Sequence, residues 1–234
     1  MAFCLLSWLW PLWDCFGCED LVPTLDHFKW IAPYYDRIFP LDDAGYLREL
    51  LQLPAEGQLL DLGGGTGRVS AALRSWAGRI VVLDELPEML RQAKLKGLET
   101  VQAHAECLPF ADGSFDRILL VDVIHHLTDA PQAICEACRL LRPPASGTGR
   151  DGGRLVIEEA NIGTWKVKLV ALAERLLLLR SRFRSPADIL RMLTRCDVRA
   201  EVRRQGGKVW IVAEKQRRSP GSPNSQTSTE KEAA

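Results

Sequence analysis

Two hydrophobic periods alternate along this chain. Residues 58–62, 79–84, 98–103, 114–121 and 154–159 are short, nearly continuous apolar runs, the pattern of strands buried on both faces. Between them, residues 69–76, the stretch opened by Pro87 and residues 131–141 read as helices packed on the sheet. Pro87 suits a first helical turn, where its missing N–H costs nothing. Further on the period changes: residues 197–204 and 208–214 alternate apolar and polar positions around Gln205-Gly206-Gly207, which predicts an antiparallel hairpin. Strands alternating with helices predict an α/β domain. The expected architecture is a doubly wound, seven-stranded sheet, mostly parallel and closed by the C-terminal antiparallel hairpin.

The flanks are less regular. Residues 3–13 are apolar and rich in tryptophan, but too short to span a bilayer, which takes about 20 residues. No Lys or Arg precedes them, so a secretory signal is poorly supported. They read as a segment packed on the domain or as an interfacial anchor. Thr24 or Asp26 is placed to cap a helix bearing Phe28, Ile31, Tyr35 and Ile38, interrupted by Pro33. Residues 43–53 form a second short amphipathic stretch. Trp165, Leu169, Leu172, Leu176 and Leu179 are spaced as a helical stripe flanked by Lys166, Lys168, Arg175 and Arg180. This basic helix either packs on the domain or walls a site for a lipid-like molecule, touching a membrane surface. Ser185-Pro186 opens a helix to Thr194. From residue 216 the chain is Ser/Pro/Asn/Thr-rich and is expected to be disordered. The organisation is thus an apolar segment 1–23, one folded domain 24–215 and a tail 216–234.

Composition adds little about class but something about partners. With 234 residues, 47% hydrophobic and 26% charged, the chain is an ordinary globular one with zero formal net charge. That zero conceals an asymmetry. Residues 1–163 hold 14 Lys/Arg against 23 Asp/Glu, and residues 164–218 hold 15 against 5. The basic part either meets an anionic surface or substrate, or is attracted by the acidic part. Seven cysteines without a disulfide framework favour a reducing compartment, and a cytoplasmic location is expected. Cys15/Cys18 and Cys135/Cys138 are C-x-x-C pairs, and four such thiols are legal zinc chemistry. Helical Cys pairs are more often buried small hydrophobes, so no metal is expected.

The chemistry concentrates after the first predicted strand, in Asp61-Leu62-Gly63-Gly64-Gly65-Thr66-Gly67-Arg68. Alternate glycines let the backbone turn sharply and approach a ligand closely. They do not form the dinucleotide fingerprint G-x-G-x-x-G, whose third glycine would fall at Arg68. Asp61 suits a cationic or hydroxyl-bearing ligand better than a pyrophosphate. The second strand ends in another acid, Asp84, placed to accept both hydroxyls of a ribose. A glycine turn with two strand-end acids points to a nucleoside without phosphates, a description that S-adenosylmethionine (SAM) fits.

Residues 28–160 resemble a class I SAM-dependent methyltransferase of the type 11 group, which includes the quinone-biosynthesis C-methyltransferases. Four blocks in order carry the resemblance: Phe28-Lys-Trp-Ile-Ala-Pro-Tyr-Tyr-Asp36, the glycine loop, Leu83-Asp84-Glu-Leu-Pro-Glu-Met-Leu90, and Ala105-Glu-Cys-Leu-Pro-Phe-Ala-Asp-Gly-Ser-Phe-Asp116. The resemblance implies a Rossmann-like fold, SAM as cofactor, and cofactor contacts at Tyr35, Asp61, Gly63, Gly65, Gly67, Asp84, Glu85, Met89, Ala105, Glu106 and Asp122. The segment with Tyr34 and Tyr35 would fold over the cofactor. Where the family commonly has an acid for the adenine amino group, this chain has His104, with Glu106 as a substitute. His125 and His126, after the fourth strand, are the catalytic candidates, one facing substrate or cofactor and the other in the core. The departures from the pattern also include residues 145–151, a Gly/Ser-rich insertion before the fifth strand.

The expected function is methyl transfer to a small, hydrophobic, quinone-like or lipid acceptor. Two other readings share the fold: an NAD(P)-dependent oxidoreductase, which the glycine spacing disfavours, and a methyltransferase-like binding protein without activity. Nucleic acid is not an expected partner, because no Asn/Asp-Pro-Pro-Tyr-type box follows the fourth strand and aromatics are sparse in the basic region.

Overall fold

The structure, a computed structural model, describes residues 31–41, 44–145, 151–160, 184–205, 208–217 and 230–232. The five apolar runs are strands β1 (Ala55–Leu62), β2 (Ala77–Asp84), β3 (Glu99–Gln102), β4 (Arg117–Val121) and β5 (Arg154–Ala160). The hairpin supplies β6 (Val198–Gln205) and β7 (Lys208–Lys215). They form one sheet in the order β3-β2-β1-β4-β5-β7-β6, extended by a short β8 (Glu230–Glu232). Strands β1 to β5 pair in parallel, and β7 joins β5 and β6 antiparallel. Seven strands are therefore as expected from the pattern. The eighth lies within the tail expected to be disordered: residues 230–232 pair in parallel with β6, whose outer edge otherwise presents open backbone groups.

Among the described residues the α-helices are α1 (Tyr35–Ile38), α2 (Ala44–Leu50), α3 (Arg68–Leu73), α4 (Pro87–Leu95), α5 (Ala130–Leu140) and α6 (Pro186–Leu193). Strand alternation sorts the core into two layers. Leu60, Leu62, Ile118, Leu120, Leu155 and Ile157 pack with Ala133, Ile134 and Ala137 of α5 and Ile189 and Leu193 of α6. Leu59, Leu119, Val156, Trp210 and Val212 pack on the other face with Leu47 and Leu50 of α2 and Val69 and Leu73 of α3. A sheet sandwiched in this way reads as continuous apolar runs, which is why those runs were legible as strands.

Capping fixes where the helices begin. Asp129 accepts the amide of Gln132 ahead of α5. Ser185 and Asp188 form a reciprocal capping box ahead of α6, with Pro186 in the first turn. The interruption expected at Pro33 is a 3-10 turn, Ala32–Tyr34, followed by α1, because Pro33 cannot donate to a continuous helical ladder; Phe28 lies outside the described residues. The apolar segment 3–13, Thr24, Asp26, Cys15, Cys18 and the basic stretch 164–180 lie outside the described residues. Among the described residues, no helix is long and apolar enough to cross a membrane.

The sheet changes direction of winding at β1: β2 and β3 lie on one side of it, β4 and β5 on the other. The carboxyl ends of β1 and β4 thus open a crevice at a topological switch point, the place where such sheets receive ligands.

Candidate functional site

A single residue pairing organises the crevice. Beyond β1 the chain turns back through Gly65, whose φ is +53° and whose amide donates to Asp84 Oδ2 at 2.9 Å. The other Asp84 oxygen accepts the amide of Leu86 at 2.9 Å, so β2's last carboxylate is held at the mouth of the glycine turn. The amides of Gly63 and Gly64 both donate to the Leu83 carbonyl, at 2.7 and 3.1 Å. Asp61 alternates with Leu60 and Leu62, faces α3 and accepts Ser70 Oγ–H at 2.6 Å.

The cleft around this turn encloses about 1070 Å³ including its open mouth. Tyr35, Asp61, Gly63, Gly65, Asp84, Glu85, Met89, Ala105, Glu106, Asp122 and His126 all line it. Gly65 marks its floor: a Cβ there would meet nothing nearer than Met89 Cε at 3.7 Å and Asp84 Oδ2 at 3.8 Å, so a longer side chain would extend into the cleft. Two expected residues are not in the lining. Gly67, φ +70°, caps α3, and a Cβ there would strike Leu98 Cδ1 at 2.4 Å and approach Ala93 Cβ to 3.1 Å; the position lets the turn pack closely on α4 and on the residue that precedes β3. His125 is buried, and its Nδ1 lies 2.9 Å from Glu159 Oε2.

The two histidines therefore separate as core and cleft. Glu159, at the end of β5, fixes the first: its second oxygen accepts the Ile124 amide at 2.8 Å. The adjoining His126 ring, 4.1 Å from that of His125 between centroids, turns to the cleft. Asp122, between β4 and the histidines, has φ +55°, a conformation that Asp tolerates better than most residues. Arg68, which glycine spacing alone could not assign, lines the cleft and lies 3.6 Å from Asp122 Oδ2.

A cover crosses the cleft from the N-terminal side. Ala32 and Tyr35 pack on Leu86 and Met89. Asp36 accepts the Thr66 hydroxyl and pairs with Lys96 at 2.5 Å, while Lys96 also donates to the Thr66 carbonyl at 2.6 Å. No sequence signal marks this tie, because it joins residues 30 apart. At the far end His104 Nδ1 lies 3.1 Å from Glu85 Oε2, and Glu106 Oε1 accepts the Asp129 amide at 3.1 Å.

The electrostatics are those of a site for a cation or a diol. Burial raises Asp61 and Asp84 from the ordinary carboxylate value to about 6, against the hydrogen bonds they accept. Burial likewise raises Asp122, with nearby Glu159 adding to it, and the Tyr35 hydroxyl. Charged carboxylates this desolvated favour a positively charged ligand. A pyrophosphate is poorly served, because the amides of Gly63, Gly64 and Gly65 are already spent on Leu83 and Asp84. In a phosphate-binding turn those groups would face the anion. A carboxylate has about four acceptor sites, so Asp84 keeps capacity for two hydroxyls beside its two amides. The cleft therefore fits a nucleoside bearing a sulfonium. Among the described residues, no group of three or more His, Cys, Asp or Glu is arranged to hold a metal ion.

Comparison with known proteins agrees with this geometry. Residues 60–146 match the family model of the methyltransferase domain. The chain is 35% identical over 113 residues to the ubiquinone/menaquinone biosynthesis C-methyltransferase UbiE of Francisella philomiragia, covering 44% of this chain and 42% of that protein. The corresponding enzyme of Hahella chejuensis is 34% identical over 152 residues, covering 60% and 53%. The chain thus spans about half the length of the curated relatives it matches. A crystal structure from Thermotoga maritima, titled a SAM-dependent methyltransferase and possible histamine N-methyltransferase, superposes with a TM-score of 0.65 at 21% identity, covering 82% of this chain and all of that one.

Proposed function

We propose that this chain, whose residues 60–146 match the family model of the methyltransferase domain, is a SAM-dependent methyltransferase of the type 11 group acting on a small, hydrophobic acceptor with a quinone-like or phenolic ring. The observation that carries the cofactor reading is the Gly65–Asp84 pairing: an open glycine floor beside a half-buried strand-end carboxylate. When bound, SAM supplies an electrophilic methyl on a sulfonium. The chain's residues bind and orient. Asp84 would accept the ribose hydroxyls, with Glu85 beside it, and Asp61 and Asp122 would balance the positive charge. Met89 and Ala105 would flank the adenine, with His104 or Glu106 near its amino group. Tyr35, held down through Asp36, would exclude water from above.

Such catalysis rests mainly on holding nucleophile and methyl in a near-attack geometry. A carbon or oxygen acceptor on a phenolic ring also gains from loss of its hydroxyl proton. His126 is the cleft-facing base for that proton, beside the buried His125 that Glu159 holds. Val121, Val123 and Leu127 supply an apolar wall on the same side, which supports an apolar acceptor. The basic amphipathic pattern of residues 164–180, which lie outside the described residues, supports contact with a membrane surface. Calorimetric titration with SAM and S-adenosylhomocysteine tests the cofactor. Methyl transfer to hydroxylated rings with and without an isoprenoid tail tests the acceptor. No heat of binding for either nucleoside overturns the assignment.

A further inference from the structure

We propose that Cys135, Cys138 and Cys196 form an oxidant-responsive thiol site, in which Cys196 and Cys135 close a disulfide between α5 and the end of α6. The inference is independent of the methyl-transfer reading. Cys135 and Cys138 share one face of α5, and Cys196 lies just past α6, ahead of β6. The Cys135 and Cys196 sulfurs are 3.7 Å apart. Cys138 and Cys196 are buried, and Cys135 is half-buried, giving a small oxidant a path to the cluster.

Geometry rules out one pairing. Helical residues three apart keep their Cβ atoms about 5–6 Å apart. A disulfide requires about 3.5–4.5 Å, so Cys135 and Cys138 are poorly placed to bridge each other. Both converge on Cys196 from the other helix. The thiols are also electrically unequal. Hydrogen bonding from Cys138, then from Cys135, and the Lys215 ammonium hold Cys196 below the ordinary thiol range in spite of burial. Cys135 is raised, first by burial and then by its neighbour Cys196. Lys215 is fixed beside the cluster by donating to the Cys138 carbonyl at 2.9 Å. Cys196 is accordingly the attacking thiolate and Cys135 the resolving thiol.

With hydrogen peroxide as oxidant, the steps balance. The Cys196 sulfur attacks one peroxide oxygen and the O–O bond breaks. The departing hydroxide takes up the proton Cys196 had released, giving water and a sulfenic acid. The Cys135 sulfur then attacks the Cys196 sulfur, the S–O bond breaks, and a second water leaves with the Cys135 proton. Two thiols lose two electrons and one peroxide becomes two waters. The bridge spans 61 positions, from the helix that follows the cleft residues Leu127 and Thr128 to the end of α6. It therefore clamps together the two helices that pack side by side on one face of the sheet.

The test uses the full chain, reduced, treated with hydrogen peroxide, alkylated and digested without reductant. The expected product is a linked peptide pair containing Cys135 and Cys196, about 2 Da lighter than the two reduced peptides and released by dithiothreitol. Cys107, half-buried, serves as the internal comparison and should remain largely alkylated. The melting temperature should rise on oxidation and return on reduction. Recovery of Cys196 as a free thiol in the same fraction as Cys107 overturns the proposal, and so does a bridge that omits Cys196. In Cys135→Ser, dimedone should capture a sulfenic acid at Cys196; an unmodified Cys196 in that variant overturns its role as the attacking thiolate.

Discussion

Asp84 holds the amide of Gly65 at 2.9 Å across the gap between the ends of β1 and β2. The carboxylate positions the turn, and the turn leaves its own open face toward the cleft. Replacing Asp84 with Ala removes an acceptor from two backbone amides and from the ribose. Losing a charged hydrogen-bond partner costs about 1.5–3 kcal/mol, so SAM affinity should fall by roughly one to two orders of magnitude. Calorimetry on Asp84→Ala and Asp84→Asn checks this. Unchanged affinity in both would move the ribose contact to Glu85.

Gly65 allows a sharper test of where the ligand lies. Gly65→Ala adds a Cβ in ordinary contact with Met89 and Asp84, so its cost is the left-handed backbone, about 1–2 kcal/mol. Gly65→Arg has the same backbone cost and fills the cleft besides. Both variants should lose similar melting temperature, while only the arginine should abolish SAM binding. Equal retention of binding would place the ligand elsewhere.

The parallel strands, the glycine turn and the two strand-end acids were legible because each leaves a local mark: an apolar run, a residue with unusual φ, a charge ending a buried segment. The residues that were not legible act at a distance. Asp36 meets Thr66 and Lys96, and Glu159 reaches back to Ile124 and His125, only once the sheet has formed. Adjacent His125 and His126 are equivalent in sequence, and the position of Glu159 decides which is buried. Gly67 belongs to the same loop as Gly63 and Gly65, yet Leu98 and Ala93 claim the space beside it. The edge strand at 230–232 is set by the open side of β6, which a polar tail composition does not reveal.

His125 and His126 should respond differently to the same change. His125→Ala withdraws the imidazole from Glu159 Oε2 in a buried setting, a loss on the order of 1–3 kcal/mol. Its melting temperature should fall. His126→Ala should keep the wild-type melting temperature and SAM affinity while methyl transfer drops by about 10²–10⁴-fold, the range for a general base. Thermal scans, SAM titration and turnover on the same preparations check both. If His126→Ala turns over normally, proton removal belongs to another group.

The buried acids make stability depend on pH in an unusual direction. Asp61 is 1% exposed, and burial raises its carboxyl to about 6 from an ordinary 3.8. Between these values the unfolded chain has released the proton and the folded protein still holds it, so the folded state binds more protons and stability falls as pH rises. The contribution is fully present below pH 4 and is lost by about pH 6. At 1.36 kcal/mol per unit the shift sets a ceiling of about 3 kcal/mol. Asp84, also raised to about 6, and Glu158, raised to about 7 by burial against the Lys208 ammonium, act in the same direction. Glu136, lowered chiefly by its hydrogen bond from Arg139 in spite of burial, acts oppositely, and its contribution is lost only in more acid solution. The ligand-free protein should therefore lose melting temperature from pH 5 to 7. Asp61→Asn keeps an acceptor for Ser70 but carries no charge, so it should gain on the wild type across that interval. A cationic ligand selects the ionised carboxylates, and SAM should bind more tightly as pH rises through the same range and flatten the wild-type slope. Calorimetric scans of both proteins at pH 4, 5, 6 and 7, with and without SAM, measure all three effects. A difference between wild type and Asp61→Asn that stays constant with pH would show that Asp61 is charged in the folded protein throughout.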